Sequence, residues 1–235
     1  MTTLETWKEQ VLDYNTSLND KLRQNEIAKS LYYGFKVIDG KLIDKPDILF
    51  VGINPGMGNK TRHYSVQFDN ERISYLDKYN DDYRVDYPRT YHLAEKTIKF
   101  FEQMKWSNVK IIDLLENKVV KTNFYHIATN NGNDINKTVN QIENGFHHSY
   151  FQKSAEFTLK LIEIIKPKLV ILEGKKVYDD IVVQCCGQKD TWKTDKFGDC
   201  FDKKLNTHFI GYDRTFSNDN RAVFVARLQE LLNKE

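Results

Sequence analysis

Two asparagines stand where a side-chain amide can do chemistry. Asn54 lies inside Gly52-Ile53-Asn54-Pro55-Gly56, and Asn123 follows Thr122 in Thr122-Asn123-Phe124-Tyr125. A neutral amide donates and accepts hydrogen bonds, so it can orient a water or read a polar edge, but it is no strong general base. The glycines beside Asn54 allow close backbone approach to a ligand, and Pro55 stiffens the turn. Asn-Pro-Gly is also a good turn with no further role. Tyr64 and Phe68 follow in a long polar and aromatic stretch, where either side chain can stack on a flat ligand or simply anchor the loop. Lys175 opens a helix, where phosphate contact and plain solvation are both open. In Gly211-Tyr212-Asp213-Arg214-Thr215-Phe216-Ser217-Asn218, Arg214 suits a phosphate and Phe216 an apolar wedge. Ser217 or Asn218 suits an ordinary helix N-cap equally well.

Several chemistries lack their residues. Cys185, Cys186 and Cys200 give no metal-ligand spacing, so no metal is expected and the cysteines read as reduced, partly buried thiols. His147 and His148 are adjacent on a helix and point apart, which disfavours a metal pair. His126 fits a strand interior, and His63 is the histidine to test for activity. There is no Gly-x-x-x-x-Gly-Lys phosphate loop and no Gly-x-Ser-x-Gly elbow. The net charge of +2 neither requires nor excludes nucleic acid.

These residues are positioned by alternating strands and helices. The 235 residues, 40% hydrophobic and 29% charged, suit a single domain, with residues 1–44 as a helical extension packed on it. Helical spacing runs over 4–31, 90–105, 147–165 and from residue 217 or 218 to 232. Strands are expected at 47–53, 121–129, 168–173 and 207–212, with 192–201 an irregular excursion or hairpin. This order predicts an α/β protein, a three-layer α/β/α sandwich on a mainly parallel four-stranded central sheet. Its ligand edge is then the carboxyl end of the strands, where these loops lie. The apolar runs are too short to cross a bilayer. With no signal segment visible, a cytoplasmic monomer is expected.

At this point a resemblance becomes specific. Gly52-Ile53-Asn54-Pro55-Gly56 is identical to the first motif of the mismatch-specific uracil and thymine DNA glycosylases. Thr122-Asn123 is similar to the step with which related glycosylases set an Asn amide against uracil. Pro167-Lys168-Leu169-Val170-Ile171-Leu172-Glu173-Gly174 resembles the Pro-to-Gly strand of the uracil-DNA glycosylase superfamily. The likeness covers about residues 45–232. It implies that Asn54 positions the hydrolytic water and that Gly52, Ile53, Pro55, Gly56 and Asn123 bind the base. An aromatic about a dozen residues past the first motif, Tyr64 or Phe68 here, would stack on the flipped base. Lys175, Arg214, Phe216 and Ser217 would contact DNA. The implied activity is hydrolysis of the N-glycosidic bond of uracil or a related damaged base in DNA, without a cofactor.

The chain departs from that superfamily after its last strand, where the usual His-Pro-Ser or Asn-Pro-Ser turn is absent. It also lacks the four cysteines of the iron–sulfur members. Two alternatives follow: a superfamily member that binds nucleic acid or a nucleobase without cleaving it, or an unrelated α/β hydrolase or transferase.

Overall fold

The computed structural model describes residues 3–55, 64–68, 92–189, 191–192, 197–213, 215 and 218–233. Helical spacing from Leu4 onward builds α1 (Leu4–Arg23), capped by the Thr3 side chain. The single helix expected through residue 31 breaks at Asn25, whose side chain accepts the Ala28 N–H and starts α2 (Glu26–Leu31). An Asn that caps a helix competes with one that continues it, and here the cap wins. The leading segment is not wholly helical, because β1 (Tyr32–Lys36) and β2 (Ile38–Asp39) follow. Next come β3 (Ile48–Gly52), β4 (Val66–Gln67), α3 (His92–Gln103), α4 (Asn108–Asn117), β5 (Val119–Asn123), β6 (Ile127–Thr129) and α5 (Asp134–Val139). The long helix α6 (Phe146–Ile165) ends at Lys166, left-handed at φ 48°, just before Pro167. Then come β7 (Leu169–Leu172), a short α7 (Lys175–Tyr178) that runs into a π-helical stretch (Asp179–Cys185), β8 (Phe197–Asp202), β9 (Thr207–Tyr212) and α8 (Asn218–Asn233).

The α/β class holds, but the main sheet has six strands among the described residues, not four, in the order β2-β5-β3-β7-β9-β8. The inner four are parallel, and each overlaps one of the four strands expected from the sequence. Antiparallel edges are added by β2 on β5 and by β8 on β9. The expected strand over 121–129 is two strands. Phe124 and Tyr125 still donate their N–H groups to Gly52 and Ile53 carbonyls beside β3. The chain then leaves for a three-stranded sheet, β4-β1-β6.

Period-two alternation sorts the inner strands onto two cores. Leu49, Val51, Val120, Val170, Leu172 and Phe209 pack with residues of α1 and α6. Ile48, Phe50, Val119, Leu169, Ile171, Ile210 and Tyr212 pack with α3, α4 and α8. Helices thus cover both faces. The chain steps from β3 to β5 on one side and then to β7 on the other, so the direction of winding reverses between β3 and β7. In such sheets the crevice forms outside the carboxyl ends at that reversal, which here means Gly52 and Glu173.

One packing detail has a measurable consequence. Gly198 and Gly211 face each other across β8 and β9, and the Tyr178 ring lies on them. A Cβ at either position would stand 2.5 Å from a ring carbon, and Tyr178 is fully buried. Gly211→Ala is expected to lower stability by about 1–3 kcal/mol, as overpacked cores do. An unchanged urea midpoint would show that the ring yields freely.

Candidate functional site

Register places a row of side chains across the carboxyl edge. Gly52 pairs with Asn123, and Val51 pairs with Leu172, so Glu173 is the next residue beside Gly52. Leu172 pairs with Gly211, which brings Tyr212 next in the row. Asn123, Gly52, Glu173 and Tyr212 therefore cross four adjacent parallel strands on the face covered by α3, α4 and α8.

Gly52 has a steric role at the centre of that row. A Cβ there would stand 2.5 Å from Asn123 Oδ1 and 3.2 Å from Glu173 Oε2. The missing side chain lets the two flanking strands fold polar groups over the backbone of β3. Lys121, two residues before Asn123 and on the same face, reaches across and donates to Glu173 Oε2 at 2.6 Å. Both side chains are buried, 9% and 0% exposed. Asn123 is 7% exposed, and its amide makes no hydrogen bond among the described residues. The neighbouring Thr122 hydroxyl instead ties β5 to the Val37 carbonyl at 2.7 Å.

Asn54 lies just beyond β3. Its Nδ2 donates to Thr129 Oγ1 at 3.1 Å and to the Pro55 carbonyl at 3.2 Å. Thr129 Oγ1 in turn donates to the Asn131 carbonyl at 2.7 Å. The amide nitrogen is thus occupied, and Oδ1 is the atom left to accept a hydrogen. Gly132 lies alongside, where a Cβ would come within 3.9 Å of Asn54 Oδ1 and 3.7 Å of Ile53 Cγ1. Ile53 is half-buried against the first core and Pro55 is buried. Asn54 and Asn123 therefore end neighbouring strands at the same edge.

The two aromatics take other positions. Tyr64 donates its hydroxyl to the Lys29 carbonyl at 3.0 Å, and its ring lies 5.3 Å from that of Tyr32. Its carbonyl accepts from Asn19 Nδ2 at 2.7 Å, with the backbone held at φ 30°. Phe68 meets Trp7 edge-on at 6.3 Å, under the Lys8 ammonium. Both rings are engaged with the N-terminal segment, and no hydrogen bond or ring contact joins them to Asn54 or Asn123 among the described residues. Lys175 is partly exposed at the start of α7, paired with both Asp179 oxygens at 2.8 and 2.9 Å and 5.2 Å above the Trp192 ring. A phosphate at Lys175 would compete with that carboxylate. Gly56, His63, Arg214, Phe216 and Ser217 lie outside the described residues. Nearby in the chain, Asp213 Oδ1 accepts from the Thr215 N–H and hydroxyl at 2.8 and 2.7 Å.

Three contributors escaped the sequence reasoning: Lys121, Glu173 and Thr129. A faint signal existed for the first. Lys121 is a lone charge between Val119-Val120 and Thr122-Asn123, on the parity of Asn123. A charged residue inside an otherwise buried parallel strand calls for a partner. Nothing local identifies Glu173 as that partner.

The cysteines are free, and burial pushes Cys185 and Cys186 up to about 11 and about 12. Since the thiolate is the nucleophile, native protein at pH 8 is expected to react with iodoacetamide far more slowly than protein in denaturant. Equal rates would show that the thiols are open. Among the described residues no three His, Cys, Asp or Glu side chains assemble as a metal site, and no helix is long and apolar enough to cross a membrane.

Searched against protein-family models, the chain matches none, and no curated protein aligns with it significantly.

Proposed function

We propose that this protein is DNA glycosylase-like and hydrolyses the N-glycosidic bond of uracil or a related damaged base in DNA. The observation that carries this reading is the pair of asparagines ending adjacent parallel strands β3 and β5, beside the reversal of winding. Asn123 is 7% exposed and its amide makes no hydrogen bond among the described residues, which leaves both ends of that amide available to a ligand. A pyrimidine with a carbonyl acceptor and a ring N–H donor meets both ends of that amide, whereas cytosine sets its amino group against a donor. Asn54, its nitrogen held by Thr129 and Pro55, presents Oδ1 to one hydrogen of a water. The water's lone pair is then free to meet the sugar carbon as the base departs. Because an amide takes no proton strongly, Asn54 acts by orientation, and most of the rate rests on stabilising the leaving base.

The test is strand scission. Purified protein is incubated with single- and double-stranded oligonucleotides carrying uracil opposite G or A, followed by alkali. Excision is expected, with Asn54→Ala slower by about 10- to 100-fold and an unchanged melting temperature. No cleavage of any tested lesion by folded protein in excess sinks the catalytic reading.

A second reading, binding without turnover, is favoured by the turn after β9. In place of His-Pro-Ser the chain has Tyr212, whose ring is packed against Phe100 and Phe224, followed by Asp213, whose carboxylate accepts from Thr215. It predicts affinity for uracil-containing DNA that Asn123→Ala weakens, with no strand breaks.

Gly52→Ala probes either reading. The atom its Cβ meets is the far end of the Asn123 side chain, which can swing aside. Stability is expected to fall by under about 2 kcal/mol, while excision or binding falls about as far as in Asn123→Ala. A variant that keeps full activity would remove Asn123 from the site.

A further inference from the structure

We propose that Lys121 and Glu173 are positioning residues for Asn123, an ion pair laid across β3 that holds the Asn123 amide at the angle its ligand requires. This inference rests on the assignment of Asn123 to base recognition.

A buried ion pair is a poor way to gain stability, since desolvation offsets most of the Coulomb attraction and an apolar pair packs as well. Its retention here is better explained by its place. Lys121 and Asn123 share one face of β5, Glu173 follows β7, and Gly52 of β3 lies between them. The Lys121–Glu173 bridge therefore spans three strands, and a Cβ at residue 52 would crowd its Glu173 end at 3.2 Å. Asn123 Oδ1 and Glu173 Oε2 lie 2.5 and 3.2 Å from a single point, the empty Cβ position of Gly52. Among the described residues no hydrogen bond fixes the torsions of the Asn123 amide. Two torsions leave such a side chain several rotamers, so packing must choose among them, and in the proposal the bridge, whose Glu173 end shares the space over Gly52 with Asn123 Oδ1, makes that choice. The winding reversal between β3 and β7 puts the same bridge at the floor of the expected crevice.

The experiment compares wild type, Lys121→Met with Glu173→Met, and Glu173→Asp, which keeps the charge but draws the carboxylate back from Gly52. Folding is checked by circular dichroism and backbone amide spectra. The first readout is the Asn123 side-chain amide resonance, identified by its loss in Asn123→Ala. It is expected to be rigid in wild type and motionally averaged in both pair variants. The second readout is uracil excision. Both pair variants are expected to lose about tenfold in kcat/KM, and adding Asn123→Ala should then cost little more, as coupled residues do. An Asn123 amide that stays rigid in every folded pair variant overturns the proposal, as does full additivity with Asn123→Ala. If wild type neither excises nor binds any uracil substrate, the glycosylase reading fails, and the side-chain resonance alone still decides whether the pair positions Asn123. Should the double variant not fold, Glu173→Asp carries the same two readouts.

Discussion

Lys121→Met alone is expected to lower stability by about 3–5 kcal/mol, while Lys121→Met combined with Glu173→Met is expected to recover most of that loss. The asymmetry follows from burial. The Glu173 side chain is 0% exposed and accepts the Lys121 ammonium at 2.6 Å. Take away the ammonium and a carboxylate stays inside the protein, on the sheet face that carries Phe50 and Ile171. It then keeps its desolvation cost and loses the Lys121 charge that offsets part of it. Removing both charges abolishes the problem, and methionine is long and adaptable enough to fill the space. Equilibrium urea melts of the two singles and the double give the coupling energy directly. Singles that cost under about 1 kcal/mol, the range of an exposed pair, would mean that water reaches the bridge. A double variant as unstable as the singles would mean that the pair is needed for the fold itself, and would leave no stable background in which to ask about Asn123.

This pair also marks the limit of what the sequence disclosed. The inner strands β3 and β7 were legible because a parallel strand covered on both faces must be apolar throughout, and Ile48–Gly52 and Leu169–Leu172 are. The same rule hid the edges. Ile38–Asp39 is two residues long, and Phe197–Asp202 contains Gly198 and Asp199, so neither carries a strand signature. Residues 121–129 read as one strand because side-chain pattern does not record the point at which a chain leaves one sheet for another. Here that point is set by Phe124 and Tyr125, whose rings meet edge-on at 4.8 Å within the first core. Helix α4 was overlooked despite a Ser107 cap and buried Ile111, Leu114 and Leu115 at helical spacing.

The site divides in the same way. Asn54 and Asn123 could be named because each ends a strand within a short motif. Their neighbours Glu173 and Thr129 depend on register between strands and on a separate sheet, and residues 52 positions apart, such as Lys121 and Glu173, become neighbours only through that register. Tyr64 and Phe68 show the opposite failing. Spacing from the first motif selected them, but aromatic rings are chosen by whichever wall is nearest. For these two the wall includes Trp7 and Lys8 of α1 and Tyr32 of β1.

Acid is expected to weaken the fold before the carboxylates titrate, through His126. Its ring is 4% exposed, set between Asn15 of α1 and Phe157 of α6. Asn15 Nδ2 lies 2.8 Å from the Val11 carbonyl and 3.0 Å from His126 Nδ1. The carbonyl only accepts, so the atom facing it must be the amide nitrogen, and His126 Nδ1 must then accept as well. The ring is neutral with its proton on Nε2. Protonation of Nδ1 would set one donor against another and leave a charge buried away from water. Burial accordingly draws the His126 pKa down to about 4 from 6.5. The folded value is the lower one, so between these pH values the unfolded chain binds the proton more readily. Stability is full above about pH 6.5, declines as pH falls toward 4, and levels off below. The linkage amounts to about 2 kcal/mol between pH 7 and 5, and on the order of 3 kcal/mol in all. Urea melts at pH 7, 6 and 5 should therefore lose midpoint in wild type. His126→Gln should start lower at pH 7 yet keep a nearly flat profile over the same range. Matching slopes in the two proteins would assign the acid sensitivity elsewhere and would mean that His126 accepts its proton within the fold.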